Sequence, residues 1–99
     1  MRTIKNLVEN TEKRVYVFLV DTETQERFAA DAEREGITLG DGTKISDRPI
    51  SDFYAINADG TVNFINTVGR IAFQSGAENI VRIDYKKYCN GDEDFLYHK

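Results

Sequence analysis

The sequence predicts an α+β domain: a single small antiparallel or mixed sheet with one principal helix packed on one face. Three observations carry that reading. Residues 14–20, RVYVFLV, are a short apolar run dense in β-branched and aromatic side chains. Residues 22–36 place apolar side chains at helical spacing and close on a glycine. Two further apolar segments flank Asp59-Gly60, a dipeptide that supplies the positive backbone angles of a tight hairpin turn.

A chain of 99 residues has room for one domain and one core, so residues 1–99 are read as a unit. Residues 1–13 are mostly polar, with Ile4, Leu7 and Val8 at helix-compatible spacing, and predict a short turn or arm lying against the body. The core is expected within 14–88. Its first strand, 14–20, is apolar on both alternating faces, as in an interior strand covered from both sides. In the helix that follows, Thr22 is the expected cap with Gln25 reaching back, and Gly36 supplies the left-handed stop. Phe28, Ala29 and Ala32 mark its buried stripe, and Glu26, Arg27, Glu33 and Arg34 face water.

Residues 37–44, ITLGDGTK, have a glycine on each side of Asp41, and SDRPIS, 46–51, contains the only proline; a loop with at most a short strand is expected. Residues 52–57 and 61–65 form the arms of the hairpin. Arg70 to Phe73 are compatible with a strand or a short helix ending at Gln74-Ser75-Gly76, and Ile80 to Tyr85 alternate as a last strand. Residues 89–99 form a tail whose Phe95, Leu96 and Tyr97 are expected to dock on the body or on a second subunit.

Composition narrows the function. Thirteen basic against seventeen acidic side chains give a formal charge of −4, which disfavours binding to long nucleic acid but leaves a small anionic ligand open. No run approaches a membrane span. The single cysteine, Cys89, together with the lack of a signal segment after Met1 and of any glycosylation sequon, predicts a cytoplasmic protein. A domain this small often gains burial by association, so a homo-oligomer is expected.

The motifs point away from catalysis. NADGTVN, 57–63, has calcium-loop offsets, but the set would have to begin at Ala55 and end at Asn66, which predicts an ordinary hairpin turn. GDGTK, 40–44, reads as a plain turn, with a backbone anion nest as the alternative. His98, the only histidine, stands next to the end, and Cys89 has neither a histidine to activate it nor a second cysteine for metal. No metal site, no cofactor and no enzymatic activity are expected. The remaining candidates are aromatics and arginines of the second half: Arg48, Phe53, Tyr54, Asn63, Phe64, Arg70 and Arg82. Phe53 and Asn63 lie on opposite arms of the hairpin and can share a face. An aromatic to stack on a base, an amide to read its edge and arginines to hold phosphates make Arg48, Phe53, Asn63, Arg70 and Arg82 a candidate nucleotide pocket. The alternative is that Phe53 and Phe64 are core and the arginines face solvent.

Residues 14–88, through RVYVFLV, ERFAADAEREGITLGDGTK, DRPISDFYAINADGTVNFINTVGRIAFQSG and VRIDYKKY, resemble the first Thoeris anti-defence family, phage sponge proteins that trap immune signalling nucleotides. The resemblance implies an anti-defence protein in the cytosol of a bacterial host that binds glycocyclic ADP-ribose without cleaving it, with cyclic oligonucleotides held at separate sites in some members. It also implies assembly as dimers or hexamers. By position it gives Phe53 the stacking role, Asn63 the polar reading role, and Arg70 or Arg82 the phosphate; Arg48 joins them from its loop position alone. A second function class is an acidic inhibitor that binds a bacterial nuclease or defence effector through its seventeen carboxylates.

Overall fold

The computed structural model describes residues 2–9, 13–65, 67–75 and 80–97, and its frame is one mixed five-stranded sheet. Residues 10–12 of the arm, Asn66, Gly76 and His98 lie outside the described residues, as does the side chain of Val68. Strand β1 (Arg14–Phe18) is interior, one in from the edge strand β5 (Ile80–Asp84). It pairs antiparallel with β3 (Phe53–Ile56), matching Val15 to Ile56 and Phe18 to Phe53, and parallel with β5, matching Arg14 to Ile80 and Phe18 to Asp84. The hairpin partner of β3 is β4 (Thr61–Phe64), and the two-residue β2 (Thr38–Leu39) pairs parallel to β4, giving the order β2-β4-β3-β1-β5.

Because alternate side chains leave opposite faces of a strand, β1 feeds two cores. Val15 and Val17 join Tyr54, Ile56, Val62 and Ile83 on one face. Helix α1 (Thr22–Glu35) covers that face with Phe28, Ala29 and Ala32, and the short α3 (Tyr85–Cys89) covers it with Tyr85 and Tyr88. Tyr16 and Phe18 go the other way, into a smaller cluster with Phe53, Ala55, Ile65, Ile80 and Phe73. Phe73 belongs to α2 (Thr67–Ser75), so the segment whose sequence fits strand or helix is a helix. Its cover explains why RVYVFLV is apolar on both faces.

Two local details set the entry and exit of α1. The cap is Asp21 rather than Thr22: its extended backbone aims the carboxylate at Thr24, from whose N–H it accepts at 2.8 Å and from whose hydroxyl at 2.6 Å. Gly36 closes the helix at φ +72°, and the next amide, Ile37, donates to the Ala32 carbonyl at 2.8 Å.

The tripeptide Asp-Gly-Thr occurs twice and folds the same way each time. In both Asp41-Gly42-Thr43 and Asp59-Gly60-Thr61 the carboxylate accepts from the threonine N–H at 3.0 Å and from its hydroxyl at 2.6 and 2.7 Å, and the glycine sits at φ +87°. One copy leads out of β2; the other turns the β3–β4 hairpin.

The ends of the described chain meet. Ile4 is fully buried, and the backbone N–H groups of Ile4 and Lys5 donate to the Glu35 carboxylate at 2.8 and 3.1 Å. The Arg2 guanidinium donates to the carbonyls of Tyr88 and Asp92 and lies 5.0 Å from the Phe95 ring centre. The tail docks on its own body along the outer side of β5: the Asp84 N–H donates to the Phe95 carbonyl, the Tyr97 N–H to the Arg82 carbonyl, and Leu96 bridges Ile83. The Tyr97 ring then reaches Phe73 at 4.7 Å.

Candidate functional site

Face parity brings Phe53 and Asn63 to the same side of the hairpin. Asn63 is matched to Ala55, so Phe53 is its diagonal neighbour. Their surroundings differ completely. Phe53 is 6% exposed, with Phe73 at 4.7 Å and Phe18 at 5.0 Å between ring centres, while Asn63 is exposed.

Two of the three candidate arginines, Arg70 and Arg82, sit with Phe53 but turn inward. The Arg70 guanidinium lies 4.8 Å over the Phe53 ring and donates to Asp52 at 2.8 Å, closing the outer side of that ring. Arg82 donates at 2.9 Å to the Phe73 carbonyl, in the last turn of α2, and lies against the Phe73 and Tyr97 rings at 5.7 and 5.6 Å. A cation is favourable at that carbonyl end of a helix. Phe53, Arg70 and Arg82 are thus assembled as an aromatic–cationic layer between sheet and α2, with the ring faces occupied by the protein itself.

The structure brings Arg48 and Asn63 together instead, in a recess of about 300 Å³ at the β2 edge, lined by Leu39, Gly40, Asp41, Arg48, Asn63 and Phe64. Residues 39–41 turn away from β4 after only two paired positions, which leaves the recess open. Gly40 allows the close approach of loop and strand, since a Cβ there would meet the Asn63 Oδ1 at 3.2 Å. Phe64 projects into this space with 45% of its surface exposed, and its ring stands 5.4 Å from that of Tyr54. The Arg48 guanidinium donates to Asp41 at 2.7 Å. The Thr43 hydroxyl and amide, and then Arg48, hold the Asp41 carboxyl below its ordinary range, so the pair is ionised at neutral pH. The loop itself is no anion nest: the N–H groups of Gly42 and Thr43 are taken by the Leu39 carbonyl and Asp41.

A smaller recess of about 130 Å³ also borders Asn63 and Phe64, its other walls being Arg14, Tyr16, Ala55, Ile65 and Gly69. Arg14 and Tyr16 were not among the sequence candidates. Their parity on β1 was readable, but a strand apolar on both faces gives no sign of which face opens to solvent.

A further recess, about 360 Å³, separates α1 from α3 and is bordered by Glu23, Glu26, Arg27, Lys86 and Cys89. Burial pushes the Cys89 thiol up, which suppresses the thiolate a nucleophile requires. Beneath it the Asp31 carboxylate, 4% exposed, accepts from Arg27, Arg34 and the Tyr85 hydroxyl. Of these contacts the Tyr85 hydroxyl ties α3 to α1, while Arg27 and Arg34 pair with Asp31 within α1.

Among the described residues no group of three or more His, Cys, Asp or Glu side chains is placed to hold a metal ion, and no helix is long and apolar enough to cross a membrane. No protein-family model matches the chain, and neither a search of curated proteins nor one of solved structures returns a match.

Proposed function

We propose that the protein is a binding protein that holds a small cyclic nucleotide signal without cleaving it, and that the recess at the β2 edge is where the nucleotide sits. The observation that carries this reading is the convergence of three groups a nucleotide needs on one opening: the exposed ring of Phe64, the amide of Asn63 and the guanidinium of Arg48. A ring stacks on any base, an amide discriminates its edge, and a guanidinium takes a phosphate in two parallel hydrogen bonds. Its volume of about 300 Å³ is at the lower end of small-molecule sites. Phe64 here takes the stacking role first given to Phe53, whose ring is covered. The resemblance to the Thoeris anti-defence sponges supports glycocyclic ADP-ribose as the ligand, a homo-oligomer as the working form and a bacterial cytosol as the setting.

Sequestration requires affinity without turnover. A bound ligand stabilises the fold by RT ln(1 + [L]/Kd), about 2.7 kcal/mol at a hundredfold excess over Kd. The test is the thermal midpoint of the protein with glycocyclic ADP-ribose isomers and with cyclic di- and trinucleotides, followed by recovery of the ligand after heating. A rise with one of them, lost in Phe64→Ala and with the ligand released intact, is the expected result. A ligand recovered cleaved overturns the sponge reading. No rise with any of them turns the assignment to a protein-binding inhibitor, sought by pull-down.

A further inference from the structure

The chain has seven arginines, and the fold gives six of them partners. Arg27 and Arg34 bind Asp31, Arg48 binds Asp41, and Arg70 binds Asp52. Arg2 and Arg82 donate to backbone carbonyls and lie against aromatic rings. Arg14 is the exception: among the described residues no carboxylate, carbonyl or ring is placed against its guanidinium. It is exposed, at the first position of β1, and borders the recess of about 130 Å³ between β1, β4 and the start of α2.

The other walls of that recess are Tyr16, Ala55, Asn63, Phe64, Ile65 and the backbone of Gly69, with no acidic side chain among the described residues that line it. In a chain with seventeen carboxylates this is a local reversal of the overall charge; the two larger recesses described above contain Asp41 and the pair Glu23 and Glu26. A guanidinium with no counter-charge among the described residues, set in a concavity with largely apolar walls, makes the local potential positive and favours an anion over a cation or a neutral ligand.

We propose that this recess is an oxyanion site that takes one phosphate-sized group, held by the Arg14 guanidinium with the Asn63 side-chain amide as a further donor. The guanidinium supplies parallel charge-assisted donors that suit two oxygens of a tetrahedral anion. The recess is far below the ~300 Å³ at which small-molecule pockets begin. It therefore admits a single phosphoryl group, free or carried by a larger molecule that extends into solvent. The site does not depend on nucleotide binding at the β2 edge; Asn63 and Phe64 border both recesses.

The experiment is a calorimetric titration with inorganic phosphate at constant ionic strength, using wild type, Arg14→Gln, Asn63→Asp and, as a charge-matched control, Lys5→Gln. Saturable binding is expected in wild type and Lys5→Gln, and at least about tenfold weaker in Arg14→Gln, the loss of a charge-assisted hydrogen bond. Asn63→Asp, which sets a carboxylate across from the guanidinium, is expected to weaken binding to the same degree. Wild type that fails to bind phosphate saturably, or Arg14→Gln that binds as tightly as wild type, overturns the proposal. A parallel titration with adenosine monophosphate separates the sources: tighter binding than phosphate by about tenfold or more assigns the group to a nucleotide, and equal affinity assigns it to the free anion. Arg48→Gln, at a residue that lines the neighbouring recess and not this one, tests the cyclic-nucleotide reading alone and leaves phosphate binding in place.

Discussion

The hydroxyl of Tyr85 donates a 2.6 Å hydrogen bond to the carboxylate of Asp31, joining α3 to α1 across 54 residues of sequence. Both residues are buried, at 2% and 4% exposure, so the bond is made where water cannot replace it. Tyr85→Phe is expected to lower stability by about 1.5–3 kcal/mol in urea unfolding, the range for hydrogen bonds to charged groups. Combined with Asp31→Ala it should show a loss smaller than the sum of the single losses, because one bond is removed by either change.

Stability should fall at both ends of the pH scale, for different reasons. Burial pushes up the phenols of Tyr54, Tyr85 and Tyr88, so they keep their protons in the folded state while unfolded tyrosines lose theirs above about pH 10. Their contribution is intact below that pH and declines above it. On the acid side the Thr24 hydroxyl and amide, then Lys86, draw Asp21 down to about 2. Its contribution is intact above the ordinary aspartate value and is lost as pH falls from about 4 towards 2. Urea midpoints measured across pH check both limbs: Tyr85→Phe should flatten the alkaline one and Thr24→Val the acid one.

Gly42 and Gly60 share φ +87°, and a Cβ on either meets nothing closer than the Lys5 Cε at 4.0 Å. Alanine at each position should therefore show the backbone term without a clash, about 1–2 kcal/mol, read from denaturant unfolding. Gly40→Ala is different in kind. It presses on Asn63 at 3.2 Å, so it should disturb ligand binding at the β2 edge more than folding.

Phe53 and Phe64 face opposite sides of the hairpin, and the two alanine variants should separate fold from function. Phe53→Ala empties a position packed by Phe18, Phe73 and Arg70 and is expected to cost about 3–5 kcal/mol of stability. Phe64→Ala removes a ring that is 45% exposed; it should change the free protein's midpoint little and abolish the ligand-induced rise.

Much of the fold was legible because its signals are local. The Asp59-Gly60 turn, the stop at Gly36 and the stripe of Phe28, Ala29 and Ala32 each depend on neighbours a few positions away, and each stands where the sequence puts it. The helical state of 70–73 was not legible, since a short apolar run satisfies either period and only the sheet face beneath it decides. The site shows the same division. Phe53 and Asn63 share a face because hairpin parity is fixed, but whether that face is open depends on α2, which covers the first and spares the second. For the arginines the sequence shows a charge and not its partner: Asp52 for Arg70, the Phe73 carbonyl for Arg82, Asp41 for Arg48 and none among the described residues for Arg14 all come from distant pairings.

The pairing of β1 shapes how the molecule is made. β1 is flanked by β3 on one side and by β5 on the other, and its parallel neighbour comes from residues 80–84. A nascent chain can zip the β3–β4 hairpin early, since that needs only a four-residue turn. Yet Val15 and Val17 keep an open edge until Ile80 to Asp84 have left the ribosome. Folding is therefore gated by a late, long-range closure, and a product cut short before Ile80 would expose the most adhesive strand of the chain to its neighbours.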